Sequence, residues 1–342
     1  MRFPHPLWAG LLSSVALGVA FLACGDDSLV YGNADGGSFD LVDAAIKDSG
    51  KEAATRTDGG VLIGPASLDF DPDGEGDPIS MVWNDELATL FIADNIGNQI
   101  WTWTDAAGFA KLAQIPDDPE ATSTNNTSLG QIVRLSNGTL VVPRFGSGKR
   151  GAICWVNPDT KDTGCVPNAP LERRRTALTA TLDDQMFGGY FAPGSTGPDA
   201  GIVTRVTFDA ETDYAGGFQK PVGMIVVNGQ LIVSEQGRNV LYALPTDGGA
   251  VAPYPIYAEI PSPDALTRGP GDSILTGQFK PQTDGGPLQI RQIASDGTVK
   301  VVVPDQTFTK PQGTAYDPTN KRLFVADSNG STVRTVRIFP LE

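Results

Sequence analysis

Pro311-Gln312-Gly313-Thr314-Ala315-Tyr316-Asp317-Pro318, followed by Leu323-Phe324-Val325-Ala326-Asp327, decides the fold because its pattern occurs twice. The segment Pro78 to Asp94 repeats it at a constant offset of 233 residues, with Pro78, Leu90, Phe91, Ala93 and Asp94 coinciding in type. Between the copies, turn-then-strand signals recur as Ser136-Asn137-Gly138-Thr139-Leu140, Leu182-Asp183-Asp184-Gln185-Met186, Val227-Asn228-Gly229-Gln230-Leu231 and Gly269-Pro270-Gly271-Asp272-Ser273-Ile274. Asn-Gly between apolar alternations marks a tight hairpin, because both residues tolerate positive φ. Second strands should therefore begin near Leu90, Leu140, Met186, Leu231, Ile274 and Leu323, at spacings of 50, 46, 45, 43 and 49 residues. This is a blade period, and it predicts an all-β, six-bladed β-propeller.

Other architectures explain less. Helical periodicity is absent and 40 Gly and 26 Pro punctuate short strands throughout, which argues against an open parallel sheet. A β-sandwich does not account for the constant period. The last blade has strands near 312–316, 322–326 and 332–339 and is one strand short, so residues 61–70 are expected to close it and pair its open edge. Cys154 and Cys165 flank a hairpin turn marked by Asn157-Pro158-Asp159 and Thr163-Gly164, and are expected to form a disulfide in an oxidising compartment.

The N-terminus reads Met1-Arg2, then an uncharged, mostly apolar run from Leu7 to Ala23, the pattern of an export signal. The run is too short for a comfortable membrane span. Phe21-Leu22-Ala23-Cys24 resembles the lipobox of bacterial lipoproteins, with Phe21 in place of the usual Leu. That resemblance implies cleavage after residue 23, acylation of Cys24 and a lipid-anchored protein of the bacterial cell envelope. Gly25 after the cysteine points to the outer membrane. Residues 24–60 are rich in Asp, Gly, Ser and Ala with no apolar period, so they read as a lipidated, flexible acidic tether. Residues 61–342 then form the propeller. Arg2 is the only charged residue of the leader, so 24 basic and 40 acidic side chains remain, a net charge of −16. Such a balance argues against nucleic acid and anionic lipid headgroups as partners.

The only histidine, His5, lies in the leader. Its position excludes Ser-His-Asp and Cys-His nucleophile systems and imidazole-ligated zinc or copper, and argues against a quinone-dependent dehydrogenase, which usually needs histidine. Catalysis would have to use carboxylates, Lys, Arg, Tyr or a hard cation. Starts of first strands and ends of second strands share one propeller face. The strand ends on it are Asp94, Arg144, Tyr190, Glu235, Gln278 and Asp327, with Asp264 near a first-strand start. This polar ring reads either as a binding face or as strand ends that simply meet solvent. Asp69-Phe70-Asp71-Pro72-Asp73-Gly74 resembles the start of a calcium loop, with Asp69, Asp71 and Asp73 as ligands, but Ser80 stands where the loop's bidentate Glu belongs. It reads equally as an acidic turn. Arg173-Arg174-Arg175 reads as a solvated approach to a strand, and Trp101 and Trp103 as blade packing.

The Pro311–Pro318 and Leu323–Asp327 motifs, together with Val82-Trp83 eleven residues before Asp94, resemble six-bladed propellers of the NHL-repeat and gluconolactonase (senescence-marker lactonase) superfamily. The resemblance implies a divalent cation, calcium or another, held by a Glu, Asn residues and an Asp. Pro263-Asp264-Ala265-Leu266 matches the Asp segment, but Val222 stands where an Asn is expected and Ile79 where the Glu is. Two functions follow. One is an envelope-anchored binding or scaffolding propeller for a small-molecule, glycan or protein ligand, expected to be a monomer. The other is a cation-dependent hydrolase of lactones or related esters, with Asp264 and Glu235 as candidate catalytic residues.

Overall fold

The computed structural model describes residues 57, 60–70, 76–118, 128–146, 150–192, 197, 200–247, 249–250, 252–280 and 286–342. The expected signal (1–23), Cys24, most of the tether, Asp71 and Asp73 lie outside the described residues.

Strand β1 (Ala66–Asp69) comes first, and the blades follow in chain order. Blade one holds β2 (Pro78–Asn84), β3 (Thr89–Asp94), β4 (Gln99–Thr104) and β5 (Gly108–Gln114). Blade two holds β6 (Val133–Arg134), β7 (Leu140–Arg144), β8 (Ala152–Val156) and β9 (Thr163–Cys165). Blade three holds β10 (Arg174–Ala180), β11 (Met186–Phe191), β12 (Gly201–Val206) and β13 (Glu211–Phe218). Blade four holds β14 (Pro221–Val227), β15 (Gln230–Glu235), β16 (Val240–Pro245) and β17 (Ile256–Glu259). Blade five holds β18 (Pro263–Arg268), β19 (Ile274–Gln278), β20 (Ile290–Ile293) and β21 (Val299–Val302). Blade six holds β22 (Pro311–Asp317), β23 (Arg322–Ser328) and β24 (Arg334–Pro340), and β1 completes it in the order β1-β24-β23-β22. Every sheet is a four-stranded antiparallel meander, so the chain is a six-bladed β-propeller closed by its N-terminal strand.

The Leu-Phe-(Ile/Val)-Ala-Asp motif recurs because a second strand is buried on both faces. Leu90 and Ile92 point into the wedge between blades six and one, while Phe91 and Ala93 point into the wedge between blades one and two. In blade six, Phe324 and Ala326 join the first of these wedges, and Leu323 and Val325 the wedge shared with blade five. A strand clamped between two wedges needs an unbroken apolar run rather than an alternating one. Cys154 and Cys165 are cross-strand partners on β8 and β9 and form a disulfide.

The β1–β24 pairing that closes the ring is braced by one buried arginine. Arg322 of β23 donates from Nε to Asp317 (2.7 Å), from Nη1 to the Leu62 carbonyl (2.7 Å) and from Nη2 to Asp105 (2.8 Å). Asp105 in turn accepts the Leu62 N–H at 2.8 Å. The guanidinium lies 5.1–5.4 Å from the ring centroids of Trp83, Trp103 and Phe324. The segment entering β1 is thereby pinned to blades one and six at once.

Candidate binding site at the channel mouth

Inner strands begin with an irregularity. The register shifts after the first residue of β2, β14 and β22, between Arg175 and Ala177 in β10, and between Pro263 and Leu266 in β18. An extra residue in one strand re-aims a side chain out of the ladder. The residues so displaced are Ile79, Thr176, Val222, Gln312 and, in blade five, the pair Asp264-Ala265. Asp264 is the one ionisable group among them. Gly223 and Gly313 let neighbouring strands press together here. A Cβ on Gly223 would lie 2.4 Å from the Asp264 carbonyl, and one on Gly313 would lie 2.5 Å from the Ile79 carbonyl.

The carboxylates at second-strand ends are spent on backbone. Glu235 accepts the N–H groups of Gln219 (2.7 Å), Lys220 (2.8 Å) and Gly237 (3.0 Å). Asp327 accepts those of Thr309 and Lys310, both at 2.8 Å, and Asp94 accepts those of Asp77, Ile96 and Gly97. All three carboxylates are buried, and burial raises the pKa of Asp94 despite its amide donors. They are loop anchors repeated from blade to blade; in Asp94 and Asp327 the amide donors all bond Oδ1, and Asp327 Oδ2 lies 3.4 Å from Arg337. Arg144 donates to the Pro116 carbonyl and lies 3.9 Å from Asp118. Tyr190 lies beneath the Arg173 guanidinium, 4.0 Å from its ring centroid, and burial pushes its phenol up to about 12. Gln278 is fully buried and donates to the Lys280 carbonyl at 2.9 Å. Asp69 is exposed on β1, opposite Thr335.

Anchoring Lys220 and Lys310 directs a feature that motif reading missed. Both precede the first proline of a blade, in Lys220-Pro221-Val222-Gly223 and Lys310-Pro311-Gln312-Gly313, and this shared pattern is the sequence signal that identifies them. Their ammonium groups lie 5.1 and 4.8 Å from the ring centroid of Phe279, the residue after β19. Cations and rings continue around the mouth. Lys220 is 5.8 Å from Phe191, and Arg174 lies 5.6 and 5.9 Å from Phe145 and Phe191. Asp264 of blade five feels the charges of Lys310 and Lys220, and its backbone N–H donates to Thr276 Oγ1 at 3.2 Å. It is partly open to solvent at the mouth yet enclosed by protein. Burial pushes its carboxyl up to about 6, while Lys310 and then Lys220 pull in the opposite direction.

The channel is bridged behind this mouth. In four blades the residue that resumes the ladder after the irregularity is small: Ser80, Ala177, Gly223 and Gly313. Blade two has Gln131 near the corresponding place. Its Nε2 donates to the carbonyls of Met224 (2.6 Å) and Leu266 (2.8 Å), and its Oε1 accepts the Met224 N–H at 2.9 Å. These bonds reach from blade two to blades four and five, so the side chain crosses the axis. At the opposite mouth a cavity of 550 Å³ is lined by Trp83, Arg268, Asp272, Tyr316 and Pro318, among others.

The residues around Asp264 do not fit a divalent cation. Val222 is buried and Ile79 half-buried where further ligands would stand. Among the described residues no group of three or more His, Cys, Asp or Glu side chains could hold a metal ion.

No family model matches the sequence, and no curated protein matches it. Solved structures do match in fold. A gluconolactonase from Xanthomonas campestris is 16% identical, with a TM-score of 0.60 over 84% of this chain and 94% of that one. A calcium-binding regucalcin from Agrobacterium tumefaciens is 13% identical, with a TM-score of 0.56 over 79% and 94%. The PQQ-bound aldose sugar dehydrogenase of Streptomyces coelicolor is 14% identical, with a TM-score of 0.57 over 81% and 99%. One architecture thus serves proteins of different kinds, and the likeness extends to the fold alone.

Proposed function

We propose that this chain is a non-catalytic binding propeller, held at the bacterial envelope by lipid on Cys24 and taking its ligand at the channel mouth of blades four to six. One observation carries the reading. Where the lactonase resemblance calls for a cation cage, this chain has Asp264 with Val222 and Ile79 in place of further ligands, and a side-chain bridge closes the axis behind it. The strand-end acids serve the fold, since Glu235, Asp327 and Asp94 each accept loop N–H groups and Asp327 also pairs with Arg337.

The gluconolactonase neighbours supply the rival reading, hydrolysis of lactones or esters. Metal analysis of the purified full chain, combined with a lactone and ester panel with and without added calcium, separates the two. We expect no stoichiometric metal and no turnover above the uncatalysed rate. Metal-dependent turnover lost in Asp264→Asn would establish the hydrolase instead. The anchor is tested in the same preparation: Cys24→Ala should move the protein from the membrane to the soluble fraction, and unchanged membrane retention overturns lipid attachment.

A further inference from the structure

The 550 Å³ cavity at the opposite mouth is walled by three successive blades, five, six and one, and its lining mixes aromatic rings with both signs of charge. Trp83 comes from the end of β2, Tyr316 from the end of β22, and Arg268 and Asp272 from the turn that joins β18 to β19. That turn spans residues 269–273, whereas residues 228–229 suffice between β14 and β15. Gly271 and Asp272 take positive φ, 61° and 59°, and Ser273 fastens the turn by donating from Oγ to the Pro270 carbonyl at 2.7 Å. The Asp272 carboxylate is thereby set against Arg268, whose Nη1 donates to Asp272 Oδ1 while Nη2 donates to the Val226 carbonyl at 3.0 Å. Asp85 also lines the cavity, and its Oδ1 accepts from Trp83 Nε1 at 3.4 Å and from Thr319 at 2.8 Å. Both carboxylates are exposed, and Oδ2 of each accepts no hydrogen bond among the described residues. Trp83 is held in place by stacking on Phe324 at 5.4 Å.

We propose that this cavity is a second binding site, for a neutral saccharide, with Trp83 and Tyr316 as the apolar walls and Arg268, Asp272 and Asp85 as the hydroxyl-binding groups. The lining selects that chemistry by exclusion of the charged alternatives. An anion meets two carboxylates, and a cation meets the Arg268 guanidinium. A sugar ring is uncharged and offers hydroxyls that both donate and accept, so it can give protons to the two unengaged Oδ2 atoms and take them from the guanidinium. Its C–H faces suit the aromatic and proline surface between those groups. The volume lies within the about 300–1,000 Å³ usual for small-molecule sites. Thr267 lines the cavity and directly follows Leu266, whose carbonyl accepts from Gln131. The bridge therefore closes the axis between this cavity and the Asp264 mouth, and the second site is independent of what is bound at the first.

Calorimetric titration of the full chain with cellobiose, maltose, lactose and melibiose tests this, with benzoate and benzyltrimethylammonium as charged aromatic probes. At least one disaccharide should saturate with a Kd of about 1 mM or tighter, and both charged probes should bind more weakly than it does. Its binding should slow hydrogen exchange in residues 267–273. Arg268→Met and Asp272→Ala alter side chains that are 50% and 57% exposed, so the fold should tolerate them. Each should weaken the disaccharide about tenfold or more, while Lys300→Gln on the outer strand of blade five should leave its affinity unchanged. Four results would each overturn the proposal: no saturable disaccharide, a charged probe that binds more tightly than every disaccharide, unchanged affinity in both cavity variants, or exchange that slows elsewhere but not in residues 267–273.

Discussion

Two enclosed charges, Arg322 at the seam and Asp264 at the channel mouth, show opposite uses of the same fold. Arg322 is fully buried with Asp317 and Asp105 as counter-ions, the Leu62 carbonyl as a further acceptor and three aromatic rings around its guanidinium. Asp264 feels the charges of two lysines, and its carboxyl is raised rather than stabilised as an anion. The first charge is matched on every side because the ring must stay shut. The second is left undermatched, and a charge with spare interaction capacity in a cleft is a candidate functional group. Gln131 lies between these extremes, as a neutral side chain whose amide is matched across the axis.

Breaking the matched charge should have the largest effect. Arg322→Met keeps an apolar side chain beside Trp83 and Trp103 but leaves the fully buried Asp317 without its cation. The expected loss is about 3–5 kcal/mol in urea unfolding, with early hydrogen exchange in residues 61–69 as β1 detaches from β24. A loss below about 1 kcal/mol would show that the apolar wedge alone closes the ring. Gln131→Ala comes next. It strands the Met224 N–H and the carbonyls of Met224 and Leu266 away from their partners, at an expected cost of about 2 kcal/mol. Protection of β1 should be unchanged. If β1 exchanges faster in this variant as well, seam and axis are one cooperative unit and the contrast drawn above dissolves.

The architecture was legible in sequence because its physical cause is local and repeated. Leu90-Phe91-Ile92-Ala93 and Leu323-Phe324-Val325-Ala326 are apolar runs imposed by two-sided burial, and the spacing of their turns counts the blades. Closure by residues 61–70 followed from a missing edge partner, and β1 at Ala66–Asp69 supplies it. The site was less legible. Strand-end position brought out Asp94, Glu235 and Asp327, but sequence does not show whether a carboxylate faces a ligand or its own backbone, and these accept N–H groups from loops some 15 to 18 residues away. Lys220 and Lys310 are separated by two blades of chain and meet at Phe279 only once the ring is closed. Gln131 was equally hidden, since its importance depends on small residues opposite it in other blades. Asp264 was visible through a family-like segment, but the lysines that change its chemistry were not.

The smallest expected effect bears directly on whether Asp264 is undermatched. Its folded-state pKa is about 6 against an ordinary 3.8, so between those values the folded chain holds a proton that the unfolded chain has released. Stability must then fall as pH rises through that window, and the penalty is complete above the folded value. Asp264→Asn removes the ionisation and should flatten this slope. At pH near 7.5 the variant is expected to be more stable than the parent by about 1 kcal/mol, with the two equal near pH 3.5. Urea midpoints at the two pH values read the difference. Destabilisation by the same substitution at neutral pH would mean that the lysines stabilise ionised Asp264 by more than burial costs it. The carboxylate would then be a matched structural charge like Arg322.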